Sequence, residues 1–383
     1  MKLFEELIQI SLGTRETFST EPTADDWIAM YEESDRHCIV GVTFEGVEKY
    51  VKAHGGLSNT TLDPDLLASW YSFVQKIEER NTELNKKSSW LQSWLSKQGM
   101  TSCILKGQGN ALLYPNPLHR TSGDIDVWVW MKDLDADGNP HKGKENCTRV
   151  IDWVKGKQTD KPLDAVIHHV ELPSLDGVDV EAHYWPSFFF CFSTFAKFKY
   201  WCETEHLRQM DNWKSLPHLE KQISAPTTEF NLVFQLIHIL RHIYAEGIGH
   251  RHLIDYFYTL SSDGYDREEV LRNIELFGIT RIASGVMWIM KEVYNMPDSR
   301  LLLATDEKIG RLLLDDVERG GNFGHSDKDM MRKMKLSKPK LFLWRTYRSV
   351  QVFRICPAET LFSPLFRVFQ WIWIKRISKK AQK

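Results

Sequence analysis

Two carboxylates stand one residue apart at the start of an apolar run: residues 124–131 are DIDVWVWM. The β-branched and aromatic residues of this run are typical of a buried strand. Because successive side chains of a strand point to opposite faces, Asp124 and Asp126 project from the same face. Like charges this close repel each other unless a cation lies between them, so the pair predicts a clamp for a divalent metal ion. A solvated strand end is the alternative interpretation of this pattern alone.

The distribution of apolar residues divides the chain into three regions. Residues 1–97 have helical spacing, residues 98–205 combine short apolar runs with turn signals, and residues 206–383 are helical again. We therefore expect an α+β fold, in which a central mixed sheet with helices is flanked by N- and C-terminal helical regions. Glu5 and Glu6 interrupt the first apolar stretch, which indicates neither a signal-peptide core nor a membrane-spanning segment.

Composition excludes some functions and compartments. The net charge of −2 gives no global basic field of the kind that binds nucleic acid. The six cysteines are scattered without a C-x-x-C pair, which favours reduced thiols over a disulfide framework or a zinc site. We expect a cytoplasmic protein.

A strand-to-helix turn precedes the carboxylate pair. The apolar residues 103–105 are followed by Lys106, Gly107 and Gln108. Backbone amides at such a turn can approach phosphate oxygens, and Lys106 or Gln108 can add hydrogen-bond donors. A plain turn without a ligand is the alternative. Arg120, four residues before Asp124, is a planar donor that could reach a phosphate, with an ordinary surface arginine as the alternative.

A third carboxylate lies on a predicted hairpin. Residues 165–172 and 178–185 alternate in polarity on either side of a tight Asp-Gly turn. Glu181 lies on the second arm, on the same face as Asp179 and His183. If this arm pairs beside the strand of Asp126, three carboxylates come together, which is the arrangement that two magnesium ions need for phosphoryl transfer. Asp179 is the alternative third carboxylate.

A polar stripe marks the apolar helix predicted over residues 228–244. Its members follow helical spacing and are Asn231, Gln235, His238 and His242. Because unpaired buried polar groups are costly, the stripe must face water, a cleft or partner groups. A zinc-protease site is rejected, since the glutamate that follows the first histidine of that motif is absent. We expect His238 and His242 to line a nucleotide or acceptor cleft, or to bond to Arg251 and Asp255 on the next helix. Arg251 and Asp255 are themselves candidates for the lining of that cleft.

The C-terminal residues 362–383 mix aromatic side chains with lysine and arginine. This composition is typical of a docked final helix with a frayed basic end, and this is the interpretation we favour. A basic amphipathic segment can also lie on an anionic membrane surface, which stays an alternative.

Together these motifs resemble the nucleotidyltransferase fold of the DNA polymerase β type. More narrowly, the chain is similar to a bacterial nucleotidyltransferase family of uncharacterised members. The stretches that carry the resemblance are LKGQGNALLYPNPLHRTSGDIDVWVW, VDVEAHYW, HILRHIYAEGIGHRHLIDYFYTL, GGNFG and PAETLFSPLFRVFQWIW. One departure concerns the turn, where the superfamily favours Gly-Ser and this chain has Gly107-Gln108.

The resemblance implies metal-dependent transfer of a nucleoside monophosphate from a nucleoside triphosphate to an acceptor, with release of pyrophosphate. It implies that Asp124, Asp126 and Glu181 are catalytic and bind two Mg²⁺ ions, for which Mn²⁺ could substitute. Nucleotide binding would fall to Lys106, Gly107, Gln108 and Arg120. The acceptor is open, with a sugar or glycan-related metabolite as one candidate.

Two other classes of function remain open. One is a catalytically degenerate nucleotide-binding protein with a regulatory or interaction role, although a pseudoenzyme has no physical need for three repelling carboxylates. The other is an interaction scaffold built from the helical regions, for which the tryptophan-rich N-terminal helices are the main support.

Overall fold

The computed structural model describes residues 2–135, 138–139, 141–157, 164–245, 247–321 and 338–381. Glu246 and residues 322–324 of the GGNFG motif lie outside the described residues. The helical character predicted for the N-terminal region is confirmed. Its helices are α1 (Lys2–Leu12), α2 (Ala24–Arg36), α3 (Val40–Ala53) and α4 (Pro64–Lys97).

The longest of these helices, α4, has a well-defined start. The Asp63 side chain accepts hydrogen bonds from the backbone amides of Asp65 and Leu66, and Pro64 occupies the first helical position. An acidic cap satisfies amides that have no partner within the helix, and proline lacks an amide there. One face of α4 then packs along the central sheet, beside its first strand.

The central region is a mixed four-stranded sheet, as expected. Its strands are β1 (Met100–Ile104), β2 (Ile125–Met131), β3 (His169–Leu175) and β4 (Val178–His183), in the order β1-β2-β4-β3. The β2–β4 pair is parallel and the other two pairs are antiparallel. The predicted hairpin is confirmed as β3–β4, and its turn residues Asp176 and Gly177 both have positive φ.

Three helices and a small second sheet accompany the central sheet. The helices are α5 (Gln108–Ala111), α6 (Gly143–Lys157) and α7 (Phe192–Met210), and the two-stranded sheet pairs β5 (Trp213–Ser215) with β6 (Gln222–Ser224). Helix α7 runs across residue 205, where the predicted central region ends. The division into three regions stays a prediction.

The C-terminal region is helical, as expected. Its helices are α8 (Thr228–Ala245), α9 (His250–Leu260), α10 (Arg267–Leu276), α11 (Thr280–Glu292), α12 (Glu307–Gly320), α13 (Lys338–Gln351) and α14 (Pro357–Ala381). One hydrophobic core joins the three regions, since Phe4, Trp128 and Phe366 belong to the same buried cluster.

The final helix, α14, docks on this core through one face. Phe366 is fully buried and stacks on Phe188 with the ring centroids 5.3 Å apart. The outward face leaves Leu361, Leu365 and Trp371 exposed. No helix in the described ranges combines the length and the apolar character required to cross a bilayer.

Candidate active site

A cleft of about 690 Å³ opens between the central sheet and the helices α8 and α9. Ten of the eleven predicted site residues line it. They are Lys106, Gly107, Arg120, Asp124, Asp126, Glu181, His238, His242, Arg251 and Asp255. The sequence therefore predicted residues that the fold brings into one cleft, although they are spread over some 150 positions of the chain.

The register of the parallel strands brings two carboxylates together. Asp126 on β2 pairs directly with Glu181 on β4. Directly paired residues on neighbouring strands project from the same face of a sheet. Asp126 is buried, with 2% of its surface exposed, and Glu181 is half-buried at the mouth of the cleft. Asp179, the alternative third carboxylate, is exposed and lies outside the cleft lining, so the geometry favours Glu181.

Two cationic side chains contact the Asp126 carboxylate. Lys106 Nζ and His183 Nε2 each lie 2.9 Å from Asp126 Oδ1. His183 Nε2 also lies 3.2 Å from Glu181 Oε2, and His169 Nδ1 is at the same distance from that oxygen. One imidazole thus joins the two carboxylates of neighbouring strands.

The pKa values of this group follow from its charges. Burial alone would raise the pKa of Asp126, but the Lys106 ammonium and the His183 imidazole hold the pKa of this carboxyl well below its usual range. Burial lowers the pKa of His183, yet its hydrogen bonds to Asp126 and Glu181 outweigh that effect and raise it to about 9. At neutral pH, Asp126 is therefore ionised between two cations.

The residues present fit a divalent cation. Asp126, Glu181 and His183 each offer one ligand atom, and these atoms lie within 4.8 Å of one another. Carboxylate oxygens are the ligands that Mg²⁺ and Mn²⁺ prefer, whereas an imidazole binds a metal ion only in its neutral form, so His183 would first have to release its proton. Asp124 is exposed at the same cleft, and the nearby negative charge of Asp126, more than burial, raises the pKa of Asp124. That mutual repulsion is what a bound cation would relieve.

The turn between β1 and α5 lies beside the carboxylates. Gly107 has φ 54° and ψ −110°, a conformation that glycine adopts without strain. Gly109 packs tightly there, since a Cβ atom on it would lie 2.6 Å from the Ile104 carbonyl oxygen. The Gln108 side chain, in contrast, is buried against α4, where its Nε2 donates to Asn85 Oδ1 at 2.6 Å. The prediction that this side chain supplies a donor to the nucleotide cleft does not match its placement.

Arg120 forms a buried ion pair. Its Nε and Nη2 donate to the two oxygens of Asp255 at 2.7 and 2.6 Å. Tyr114 Oη and Asn110 Nδ2 also donate to this carboxylate, at 2.5 and 3.1 Å. Asp255 therefore connects α9 to the segment before β2. The Arg120 guanidinium is hydrogen-bonded to this protein carboxylate in the structure and is not reserved for a ligand.

The polar stripe of α8 divides into two halves. Asn231 donates to Asn110 at 3.0 Å and Gln235 donates to Thr259 at 2.7 Å, so the first half joins α8 to its neighbours. His238 and His242 form the second half and line the cleft, with their Nε2 atoms 3.1 Å apart. Of the three environments predicted for the stripe, which were water, a cleft and partner groups, the structure shows the cleft and the partner groups.

Several cleft residues were not predicted from the sequence as site residues. They are Asn110, His168, His169, His183, Arg241, His252 and Arg345, together with the aromatic Phe188 and Phe190. His183 carried a usable signal, because it lies two residues after Glu181 and strand alternation places both on one face. The others follow from the packing of distant elements, which no local pattern specifies.

Residues 23–137 match the model of a family described as "Uncharacterised nucleotidyltransferase". The match contains Lys106, Gly107, Asp124 and Asp126 and ends before Glu181. It confirms the predicted resemblance to nucleotidyltransferases over this part of the chain; the bacterial origin stays a prediction.

Among curated proteins, none matches the chain. A crystal structure of an antigenic nucleotidyltransferase-like protein from Paracoccidioides brasiliensis is similar at 13% sequence identity and a TM-score of 0.32, over 60% of this chain and 97% of that protein.

Proposed function

We propose that the protein transfers a nucleoside monophosphate from a nucleoside triphosphate to an acceptor nucleophile, with release of pyrophosphate. The observation that carries this proposal is the pairing of Asp126 with Glu181 in one cleft with Asp124. The family match ends at residue 137, so the assignment of Glu181 to the active site rests on its pairing with Asp126 alone. The acceptor would be a small hydroxyl-bearing metabolite such as a sugar, and the cytoplasm the site of action.

Asp124, Asp126 and Glu181 would hold the Mg²⁺ ions, with Mn²⁺ as a second fitting ion because it takes the same oxygen ligands. A divalent cation there would stabilise the charge that develops on the α-phosphate and would lower the pKa of the acceptor hydroxyl. Attack of the hydroxyl oxygen on the α-phosphorus forms the new P–O bond, and the hydroxyl proton passes to solvent. The bond between the α-phosphorus and the oxygen that bridges to the β-phosphate breaks, and its electron pair leaves with pyrophosphate.

The protein's own cations complete the site. Lys106 contacts Asp126 and lines the cleft, so its ammonium is within reach of a phosphate oxygen bound there. The backbone at Gly107 lies beside it and leaves room for a ligand. Apart from its chain neighbours, the described residues bring only the Asp124 carbonyl oxygen within 4 Å of its Cβ position, at 3.5 Å. These groups would orient the triphosphate and would not act as acid–base catalysts, because a lysine ammonium keeps its proton at neutral pH.

The test is to incubate the protein with each α-labelled nucleoside triphosphate, Mg²⁺ and a metabolite extract, and to identify the labelled product. Asp126→Ala should abolish labelling. Asp179→Ala is the matched control, because Asp179 lies on the same strand but is exposed and outside the cleft lining. Equal labelling by the wild type and Asp126→Ala would exclude the proposed site.

A second candidate function is nucleotide binding without turnover, in a regulatory or interaction role. The ion pairs of Asp126 with Lys106 and His183 favour it, since they neutralise this carboxylate without a metal ion. Thermal-shift measurements with a nucleoside triphosphate, with and without Mg²⁺, separate the two. Binding that is independent of Mg²⁺ and unaffected by Asp126→Ala would support the second function.

A further inference from the structure

The wall of the cleft that faces the carboxylates is built from α8 and α9 and carries an imidazole cluster. We define this cluster as His238, His242 and His252, all of which line the cleft. The ring centroids of His238 and His242 are 4.3 Å apart, and those of His242 and His252 are 5.2 Å apart. Arg251 adds a guanidinium to the same lining and donates to the Thr121 carbonyl oxygen at 3.0 Å.

The charges around the imidazole cluster are mainly positive. Burial lowers the pKa values of His238 and His252, and the positive charges of Lys106 and Arg251 lower them further. The acidic residue of this wall, Asp255, is already paired with Arg120 by two hydrogen bonds. The cleft therefore has a carboxylate wall, suited to cations, and an opposite wall of positive potential, suited to anions.

The imidazole cluster could in principle hold a metal ion instead. One ligand atom of each histidine lies within 4.8 Å of the others, and the contact of 3.1 Å between the Nε2 atoms of His238 and His242 is near the separation of two ligands on one zinc ion. Metal sites of this kind are usually supported by carboxylates or carbonyls that accept from the imidazoles. Here the electrostatic neighbours are Lys106 and Arg251, whose charges repel a cation. The electrostatics favour an anion.

We propose that the imidazole cluster and Arg251 bind phosphate groups of the ligand, namely the pyrophosphate portion of a nucleoside triphosphate whose α-phosphate lies at the carboxylates. This assignment rests on the proposed function for the identity of the nucleotide. In this assignment the main phosphate ligands are the imidazole cluster and Arg251. They take the place of the Gln108 side chain and of Arg120, which is paired with Asp255. Imidazole N–H groups and a guanidinium donate strong, charge-assisted hydrogen bonds to phosphate oxygens.

The experiment measures binding of pyrophosphate by calorimetry in the presence of EDTA, followed by binding of ATP. The variant is His238→Gln/His242→Gln, with His54→Gln as the control, because His54 is a partly exposed histidine at the end of α3. We expect the double variant to weaken pyrophosphate binding by about tenfold or more, as for the loss of charge-assisted hydrogen bonds, and the control to leave it unchanged. If the double variant does not fold, pyrophosphate binding is measured with the single variant His252→Gln on α9.

Each outcome decides the assignment. Unchanged pyrophosphate affinity in both histidine variants would overturn it. A Co²⁺ absorption spectrum of tetrahedral type that survives Asp126→Asn but disappears in the double variant would also overturn it, in favour of a metal site. If pyrophosphate binding depends on the cluster but does not compete with ATP, the phosphate belongs to the acceptor and the assignment to the nucleotide is wrong. Phosphate binding at the cluster without any labelled product would leave this site standing while the proposed transfer fails.

Discussion

Asp126 on β2 and Glu181 on β4 are direct partners in a parallel strand pair, and His183 Nε2 contacts both carboxylates, at 2.9 and 3.2 Å. The chain between these strands contains α6 and β3, so neither carboxylate can be positioned by local structure alone. Their separation is fixed by backbone hydrogen bonds of the sheet, which hold side chains more precisely than a loop does.

Removing either carboxylate should abolish transfer while leaving the sheet intact. We expect Asp126→Asn and Glu181→Gln each to lower kcat/KM by more than about 100-fold, since even groups that only support a metal ligand are worth about 10–100-fold. Asp179→Asn, on the exposed part of the same strand, should retain activity. Circular dichroism checks that the variants are folded. Retained activity in Glu181→Gln together with loss in Asp179→Asn would reverse the assignment of the third carboxylate.

We expect Lys106 to weaken binding of the metal ion and to strengthen binding of the nucleotide. Its ammonium lies 2.9 Å from Asp126 and stabilises the ionised carboxylate that a metal ion must bind. In Lys106→Met, Asp126 loses a competing cation, so we expect several-fold tighter Mn²⁺ binding by electron paramagnetic resonance. The same variant should bind a nucleoside triphosphate more weakly and transfer more slowly. Weaker Mn²⁺ binding in Lys106→Met would contradict this competition.

Strand alternation explains why the carboxylate site could be predicted from the sequence. The two-residue period fixes which side chains of a strand share a face, so the placement of Glu181 with His183 follows once β4 is recognised. Asp124 precedes Ile125, the first residue of β2, so its shared face with Asp126 stays a prediction. That β2 and β4 are neighbours came from the resemblance to a family and not from the pattern, because strand order depends on non-local pairing.

The remaining contacts of the site depend on the packing of helices against the sheet. Gln108 occupies the turn that was expected, but a buried partner on α4, Asn85, determines where its side chain points. Arg120 was predicted to bind the nucleotide and Asp255 to line the cleft, yet nothing in the sequence pairs two residues 135 positions apart. Periodicity identifies the face of an element, and only the tertiary arrangement selects the partner on the other side.

The pair formed by Arg120 and Asp255 should be essential for stability. Both side chains are buried, and Asp255 accepts four hydrogen bonds, from Arg120, Tyr114 and Asn110. Asp255→Asn leaves the Arg120 charge buried without its counterion, which typically costs about 3–5 kcal/mol in the free energy of unfolding. Urea denaturation measures this loss. Glu83→Gln, which breaks an exposed pair with Lys86 on α4, is the control and should change little.

The same pair predicts acid sensitivity. Burial alone would raise the pKa of Asp255, but Arg120 and Tyr114 hold it below its usual value. A carboxyl whose pKa is lower in the folded protein contributes stability that is present above its unfolded pKa and is lost as the pH falls through the folded pKa. The difference in unfolding free energy between the wild type and Asp255→Asn should therefore shrink as the solution is acidified below pH 4. A difference that grows in acid would contradict the pairing.

His119 should have the opposite pH dependence. Its Nδ1 lies 2.9 Å from Glu45 on α3 and its Nε2 lies 3.1 Å from Glu78 on α4. Burial lowers the pKa of His119, but the two glutamates outweigh it and raise the pKa above 6.5. Its contribution is then full below the unfolded pKa and is lost as the pH rises through the folded pKa. The stability difference between the wild type and His119→Gln should decrease from pH 6 to pH 9, and a constant difference would show that folding does not raise the pKa of His119.

Gly109 should be irreplaceable at the turn that leads from β1 into the site. A Cβ atom there would lie 2.6 Å from the carbonyl oxygen of Ile104, and backbone cannot move aside as a flexible side chain can. We expect Gly109→Ala to destabilise the protein by about 1–3 kcal/mol, the usual cost of overpacking, and to weaken nucleotide binding because the adjacent Lys106 and Gly107 shift.

Gly156→Ala is the matched control. Gly156 lies within α6, and no atom of the described residues lies within 4 Å of its Cβ position, so alanine should stabilise the helix by about 0.5–1 kcal/mol. Urea denaturation of both variants, with nucleotide titration of Gly109→Ala, checks the two effects, and an undiminished stability of Gly109→Ala would show that this turn tolerates a side chain.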